Sequence, residues 1–106
     1  MPRTARVAPG DTVYHILMRG NKRQSIFKED DDYHRFLELL LKYKEKLAFK
    51  LYHYALMTTH VHLVLDPTSG GNLAEIMKDV NLSYAQYYKG NYKHIGYFWQ
   101  DRYKTS

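Results

Sequence analysis

Two runs of strand-forming residues, Phe49 to Met57 and His60 to Asp66, stand on either side of a two-residue break at Thr58-Thr59. A connection that short joins antiparallel neighbours, because parallel strands need a crossover of a dozen residues or more. The stretch is therefore a hairpin. Its second run alternates, with Val61, Leu63 and Leu65 on one side of the strand and His60 and His62 on the other. One face of the sheet is apolar, and the opposite face presents two imidazoles side by side.

The rest of the chain supplies partners for this hairpin. Val13 to Arg19 is apolar, rich in strand formers, and stops at the turn signal Gly20-Asn21. From Asp30 the period changes: Tyr33, Phe36, Leu37, Leu40, Lys44 and Leu47 recur at helical spacing. Asp30, Asp31 and Asp32 open that helix and Lys42, Lys44 and Lys46 close it, which complements the helix dipole. Pro67 to Gly71 is a loop, and Asn72 with Glu75 three residues on resembles an N-cap and its reciprocal partner. A second helix follows, with Leu73, Ile76, Met77, Val80, Tyr84, Tyr87 and Tyr88 as its buried stripe and Gly90 as its stop. Tyr92 to Ser106 has no helical period, and Tyr97-Phe98-Trp99 reads as the start of an edge strand. The order β-α-β-β-α-β predicts an α+β fold: a ferredoxin-like antiparallel sheet with two helices packed on one face and the other face open.

The 106 residues, 44% of them hydrophobic, suit one domain spanning 1–106 with a single modest core. There is no apolar run of transmembrane length, and Met-Pro-Arg-Thr-Ala-Arg lacks the hydrophobic segment of a signal peptide, so a soluble, cytoplasmic protein with no membrane partner is expected. Absence of cysteine excludes disulfides and thiolate zinc sites, which favours Mg²⁺ or Mn²⁺ over structural zinc. A net charge of +5 with 11 tyrosines suits phosphate attraction combined with base stacking. An ordinary basic, tyrosine-rich domain has the same composition.

Several side chains are candidates for chemistry. His60 and His62 are placed as metal ligands, although paired histidines on a strand are often only solvated. Arg19, Asn21, Lys22 and Arg23 cluster after the first strand, and Trp99, Gln100, Arg102 and Lys104 near the end. The first group offers charge for phosphates and an amide for a base edge, and the second offers a stacking ring beside further charge. The alternatives are a solvated basic turn for the first group and a core anchor for Trp99. His15 would approach the histidine face if its strand neighbours that of His60, or else serve as a hydrogen-bonded structural residue. His34 and His94 read as surface residues, His53 as near a sheet surface, and the Lys42, Lys44, Lys46 run as a solvated helix end.

Three blocks of this sequence resemble the single-tyrosine HUH transposases, specifically the REP-associated branch. They are Met18-Arg19-Gly20-Asn21-Lys22-Arg23-Gln24-Ser25-Ile26-Phe27, then Tyr54-Ala55-Leu56-Met57 leading into His60-Val61-His62-Leu63-Val64-Leu65, and Gly96-Tyr97-Phe98-Trp99-Gln100-Asp101-Arg102-Tyr103-Lys104-Thr105-Ser106. The resemblance implies a prokaryotic nuclease and strand transferase acting on single-stranded or hairpin DNA. Its two histidines and a third polar ligand would hold Mg²⁺ or Mn²⁺ at the scissile phosphate, and a tyrosine would form a 5′-phosphotyrosine intermediate.

Two departures from the family pattern stand out. Thr58-Thr59 replaces a common Pro-Asn before the first histidine. The Tyr-Ile-x-x-Asn-Pro stretch that carries the nucleophile and third ligand in this branch has no match up to Ser106, so both are expected beyond it. Tyr84 is the internal substitute nucleophile, against its place on an apolar stripe. A truncated transposase is thus expected to be inactive alone, with a homodimer possible. The alternatives are a non-catalytic DNA-binding remnant, a domesticated hairpin binder, or a ferredoxin-like module for RNA or acidic partners.

Overall fold

The computed structural model describes residues 13–67, 72–94, 96–100 and 102–105. Four strands, β1 (Tyr14–Arg19), β2 (Lys50–Met57), β3 (His60–Asp66) and β4 (Lys104–Thr105), form one sheet in the order β2-β3-β1-β4. Every neighbouring pair is antiparallel, which makes the fold α+β and ferredoxin-like as expected. Helix α1 (Asp30–Leu47) follows β1, and helix α2 (Leu73–Tyr92) follows β3. The N-terminal stretch and most of the Pro67–Gly71 loop, residues 68–71, lie outside the described residues.

The alternation in β3 sorts the two faces. Val61, Leu63 and Leu65 are fully buried, together with Ile16 and Met18 of β1, against Phe36 and Leu40 of α1 and Ile76, Met77 and Val80 of α2. Removing these side chains from water is the main favourable term for folding. Among the described residues, neither α1 nor α2 covers the opposite face of the sheet.

Helix α1 is tied to α2 through one carboxylate. Asp32 is 1% exposed and closes a capping box with Glu29, its Oδ2 accepting the backbone N–H groups of Lys28 at 2.9 Å and Glu29 at 3.1 Å. Two hydroxyls from α2 donate to the same carboxylate at 2.7 Å each, Tyr87 to Oδ1 and Tyr92 to Oδ2. Tyr84 donates to the Ile26 carbonyl at 2.5 Å and Tyr88 to the Ser25 carbonyl at 2.9 Å. Four tyrosines on one side of α2 thereby clamp the segment from Ser25 to Asp32. Hydropathy alone marks three of them as an apolar stripe and does not reveal the hydroxyl contacts.

Two boundaries differ from expectation. Helix α2 runs past Gly90 to Tyr92 and ends at Lys93, which takes a left-handed conformation at φ 51°. Gly90 is exposed with nothing near its absent side chain, while the Tyr92 hydroxyl is drawn to Asp32, so the anchor outlasts the local stop signal. Tyr97 to Trp99 is not the edge strand. Only Trp99 bridges to Gly20, and regular pairing resumes at Lys104 opposite Leu17.

Burial pushes the Asp32 carboxyl up, but hydrogen bonds from Tyr92, Lys28, Tyr87 and Glu29 outweigh it and hold it below the ordinary 3.8. A depressed carboxylate stabilises the fold above its unfolded value, and that contribution is lost as pH falls through the folded value. Asp32→Asn is expected to cost about 1–3 kcal/mol in urea unfolding at pH 7. The gap to the parent should shrink when the measurement is repeated near pH 3, and a gap independent of pH would contradict this.

Candidate nucleic-acid and metal site

Register decides what meets on the open face. Arg19 pairs with His60, Leu17 with His62 and His15 with Val64, while Met57, Ala55 and His53 of β2 oppose His60, His62 and Val64 from the other side. Because opposed residues project to the same face, the histidine pair is flanked by β1 and β2 side chains. An open groove of about 410 Å³ is lined by His15, Arg19, His60, His62 and Lys104, with Leu17 and Thr105. Next to it, a second groove of about 420 Å³ joins Arg19 and His60 to Arg23, Thr59 and Gln100. A narrow third recess brings Arg102 together with Arg19, Gln100 and Lys104. Arg19 lines all three.

The corner that joins these grooves is closely built. Gly20 N–H donates to Thr59 O at 3.0 Å, Asn21 N–H to Phe98 O at 2.8 Å, Ile26 N–H to Thr58 O at 2.7 Å and Gln100 N–H to Arg19 O at 2.8 Å. A side chain on Gly20 would meet the Gln24 carbonyl and an Ile26 methyl, each at 2.7 Å, so only glycine fits. The following residues, Lys22 and Arg23, both take positive φ, 54° and 59°. Left-handed backbone costs roughly 1–2 kcal/mol for a residue with a side chain, and the anchors on both sides hold this turn in place. Gly20-Asn21 signals the turn in the sequence, but the unusual conformations fall two residues later.

Most of the expected site residues converge here. His60, His62, Arg19, Arg23, Gln100, Arg102 and Lys104 border connected grooves. Lys22 is exposed on the strained turn, and Asn21 is partly buried with its backbone bonded to Phe98. Trp99 turns the other way: its Nε1 donates to the Asn81 carbonyl of α2 at 3.1 Å and its ring packs near Phe98 and Tyr84, so it is an anchor. Tyr84 is fully buried in the helix-covered core, where burial raises its hydroxyl far above the usual phenol range, so the structure does not bring it to the histidines. His15 reaches the open face, its ring 6.1 Å from that of His62. His94 is partly exposed and donates from Nε2 to Tyr97 O at 3.1 Å beside Tyr88 and Phe98.

The histidine pair fits a divalent ion as two of its ligands. Both rings are partly exposed, and Thr59 Oγ1 lies 3.4 Å from His60 Nδ1, which leaves Nε2 free for coordination. Among the described residues, no cluster of three or more His, Cys, Asp or Glu side chains is placed to hold a metal. Other coordination positions would fall to water, phosphate oxygens or a donor from elsewhere.

Paired imidazoles bordered by cations on an open sheet are suited to handling phosphate esters. The sequence matches the IS200-like transposase family over residues 10–106, and the chain belongs to that family. Its structure is similar to that of a REP-associated tyrosine transposase bound to a REP hairpin, with TM-score 0.74 and 14% identity, covering 100% of this chain and 61% of that one. A candidate transposase from Deinococcus radiodurans R1 gives TM-score 0.73 and 16% identity, covering 99% of this chain and 85% of that one. The chain thus spans 61% of the length of the REP-associated transposase. No curated protein matches the sequence. No helix among the described residues is long and apolar enough to cross a membrane.

Tyr84→Phe removes the bond to Ile26 without reaching the grooves. It is expected to lower unfolding stability by about 1 kcal/mol and leave DNA affinity unchanged in a titration at fixed salt.

Proposed function

We propose that this chain is the metal- and DNA-binding platform of a transposase that cleaves and rejoins single-stranded or hairpin DNA. The observation that carries the reading is the convergence of His60 and His62 with Arg19, Arg23, Gln100 and Lys104 on one helix-free sheet face. The REP hairpin bound by the structurally similar transposase supports a hairpin as the DNA partner. Arg19, Arg23, Arg102 and Lys104 neutralise phosphates along the joined grooves, while Asn21 and Gln100 offer amides to base edges. Exposed Lys22 adds charge at the rim. A Mg²⁺ or Mn²⁺ ion held by His60 and His62 would supply Lewis acidity at the scissile phosphate. The hairpin places both imidazoles on the open face, and Arg19, between them and the basic turn, would hold the strand that carries the phosphate.

The cutting step requires a tyrosine whose oxygen bonds to phosphorus as the bond to the 3′-oxygen breaks, leaving a 5′-phosphotyrosine ester that conserves the linkage for rejoining. Tyr84 is buried with its hydroxyl bonded to Ile26, so it is not placed to serve as that nucleophile.

Two measurements test the reading. In a Mn²⁺ titration, His60→Ala with His62→Ala should remove binding, and unchanged affinity would sink the metal site. For a DNA hairpin with a single-stranded flank, Arg19→Ala and Arg23→Ala should each weaken binding and reduce the slope of log affinity against log salt by about 0.7–0.9. Equal or tighter binding of structured RNA at the same salt would instead favour an RNA-binding module.

A further inference from the structure

We propose that His15 and His62 form a second metal position on the open face, one that takes a borderline transition-metal ion such as Ni²⁺ or Zn²⁺. His62 is then common to two sites, and only that sharing rests on the His60–His62 reading above. The two rings come from adjacent strands, with centres 6.1 Å apart and planes inclined by 38°. A metal about 2.1 Å from a ring nitrogen sits roughly 3 Å from the ring centre, so rings about 5–6 Å apart can bracket one ion. His15 is exposed, and a small rotation about its side-chain bonds closes the remaining gap.

His15 and His60 cannot easily hold the same ion. Their strand positions differ by four residues along the ladder, since Arg19, not His15, is the partner of His60. At about 3.3 Å per residue that offset puts their backbones beyond comfortable joint reach of one ion. The face therefore offers two alternative pairs that compete for His62.

Donor chemistry sets which ions this face takes without a substrate. The described residues lining the groove include Arg19 and Lys104 and no carboxylate. Nearby positive charge penalises any cation, and it penalises most an ion held largely by charge with oxygen donors. Imidazole coordination gains strength along the series toward Ni²⁺, Cu²⁺ and Zn²⁺, so either two-imidazole pair alone gains more from those ions than from Mg²⁺, and added oxygen donors such as phosphate are what suit the His60–His62 pair to a harder ion. An ion at His15–His62 removes His62 from the other pair, so transition metals should displace Mn²⁺ from this face.

The test is calorimetric titration of the folded chain with NiCl₂, alongside Mn²⁺ binding followed by electron paramagnetic resonance. His15→Ala and His62→Ala should each weaken Ni²⁺ binding by about tenfold or more, while His60→Ala changes it little. Mn²⁺ should show the complementary pattern, reduced by His60→Ala and His62→Ala and retained by His15→Ala. His15→Gln, which keeps side-chain size without imidazole coordination, should match His15→Ala, and unchanged melting curves confirm an intact fold. Ni²⁺ affinity unaffected by His15→Ala, or reduced equally by His60→Ala, would overturn the second site. Loss of the Mn²⁺ pattern alone would count against the function proposed above and leave the nickel result standing.

Discussion

The pairing of β1 with β3 is the constraint on which the rest of the molecule depends. Side chains alternate with period two, so a slip of one residue would carry His60 and His62 into the core and push Val61 and Leu63 into water. The apolar half of that alternation is fully buried, which makes the slip costly and fixes Arg19 opposite His60. Core energetics thus position a site that contributes little to the core. The imidazoles are held by the burial of the residues between them.

The end of β1 turns this register into a three-dimensional corner. Gly20 is packed against the Gln24 carbonyl and Ile26, while its own N–H bonds to the turn between β2 and β3. The C-terminal segment closes the other side through Phe98 and Gln100. Three segments distant in sequence, around residues 19–26, 58–59 and 98–100, therefore share one hydrogen-bonded node, with Arg19, Arg23 and Gln100 at its surface. Behind it, the α2 tyrosines hold Ser25 to Asp32, so the basic turn rests on the helical layer as well as on the sheet. Side chains placed by so many cross-links lose little freedom on binding a charged strand.

Legibility in the sequence followed the range of the interactions. The start and end of α1, the N-cap of α2 and the Thr58-Thr59 hairpin are set by neighbours within four residues, and the structure has them at Asp30–Leu47, Asn72 and His60. Strand alternation likewise gives the observed burial from His60 to Leu65, and it breaks only at Asp66, which is buried. Features joined over long separations were hidden. Asp32 reads in the sequence as a first-turn acid complementing the helix dipole, yet it is buried and bonded by tyrosines about sixty residues away, and the only local trace is its place three residues after Glu29. Trp99 has the composition of a stacking residue and the contacts of an anchor, a choice made by the Asn81 carbonyl. The C-terminal strand was misplaced because the chain touches β1 twice, with the pattern broken between Trp99 and Lys104.

The same distinction bears on how the site would act. The backbone of a histidine pair on a central strand cannot move without breaking ladders on both sides, so the spacing at which the two side chains leave the strand is set before any ligand arrives. The cations around it differ in this respect. Arg19 belongs to the sheet, Lys104 to a two-residue edge strand, and Lys22 and Arg23 to a strained turn stabilised only from its ends. Rigidity thus falls from the imidazoles outward. That gradient would suit the proposed platform, which would fix one phosphate closely while accepting flanking nucleotides of variable conformation. On the proposed function, specificity would lie at the periphery, where a change at Arg23 or Gln100 would alter what is bound without disturbing the register of the histidine strand.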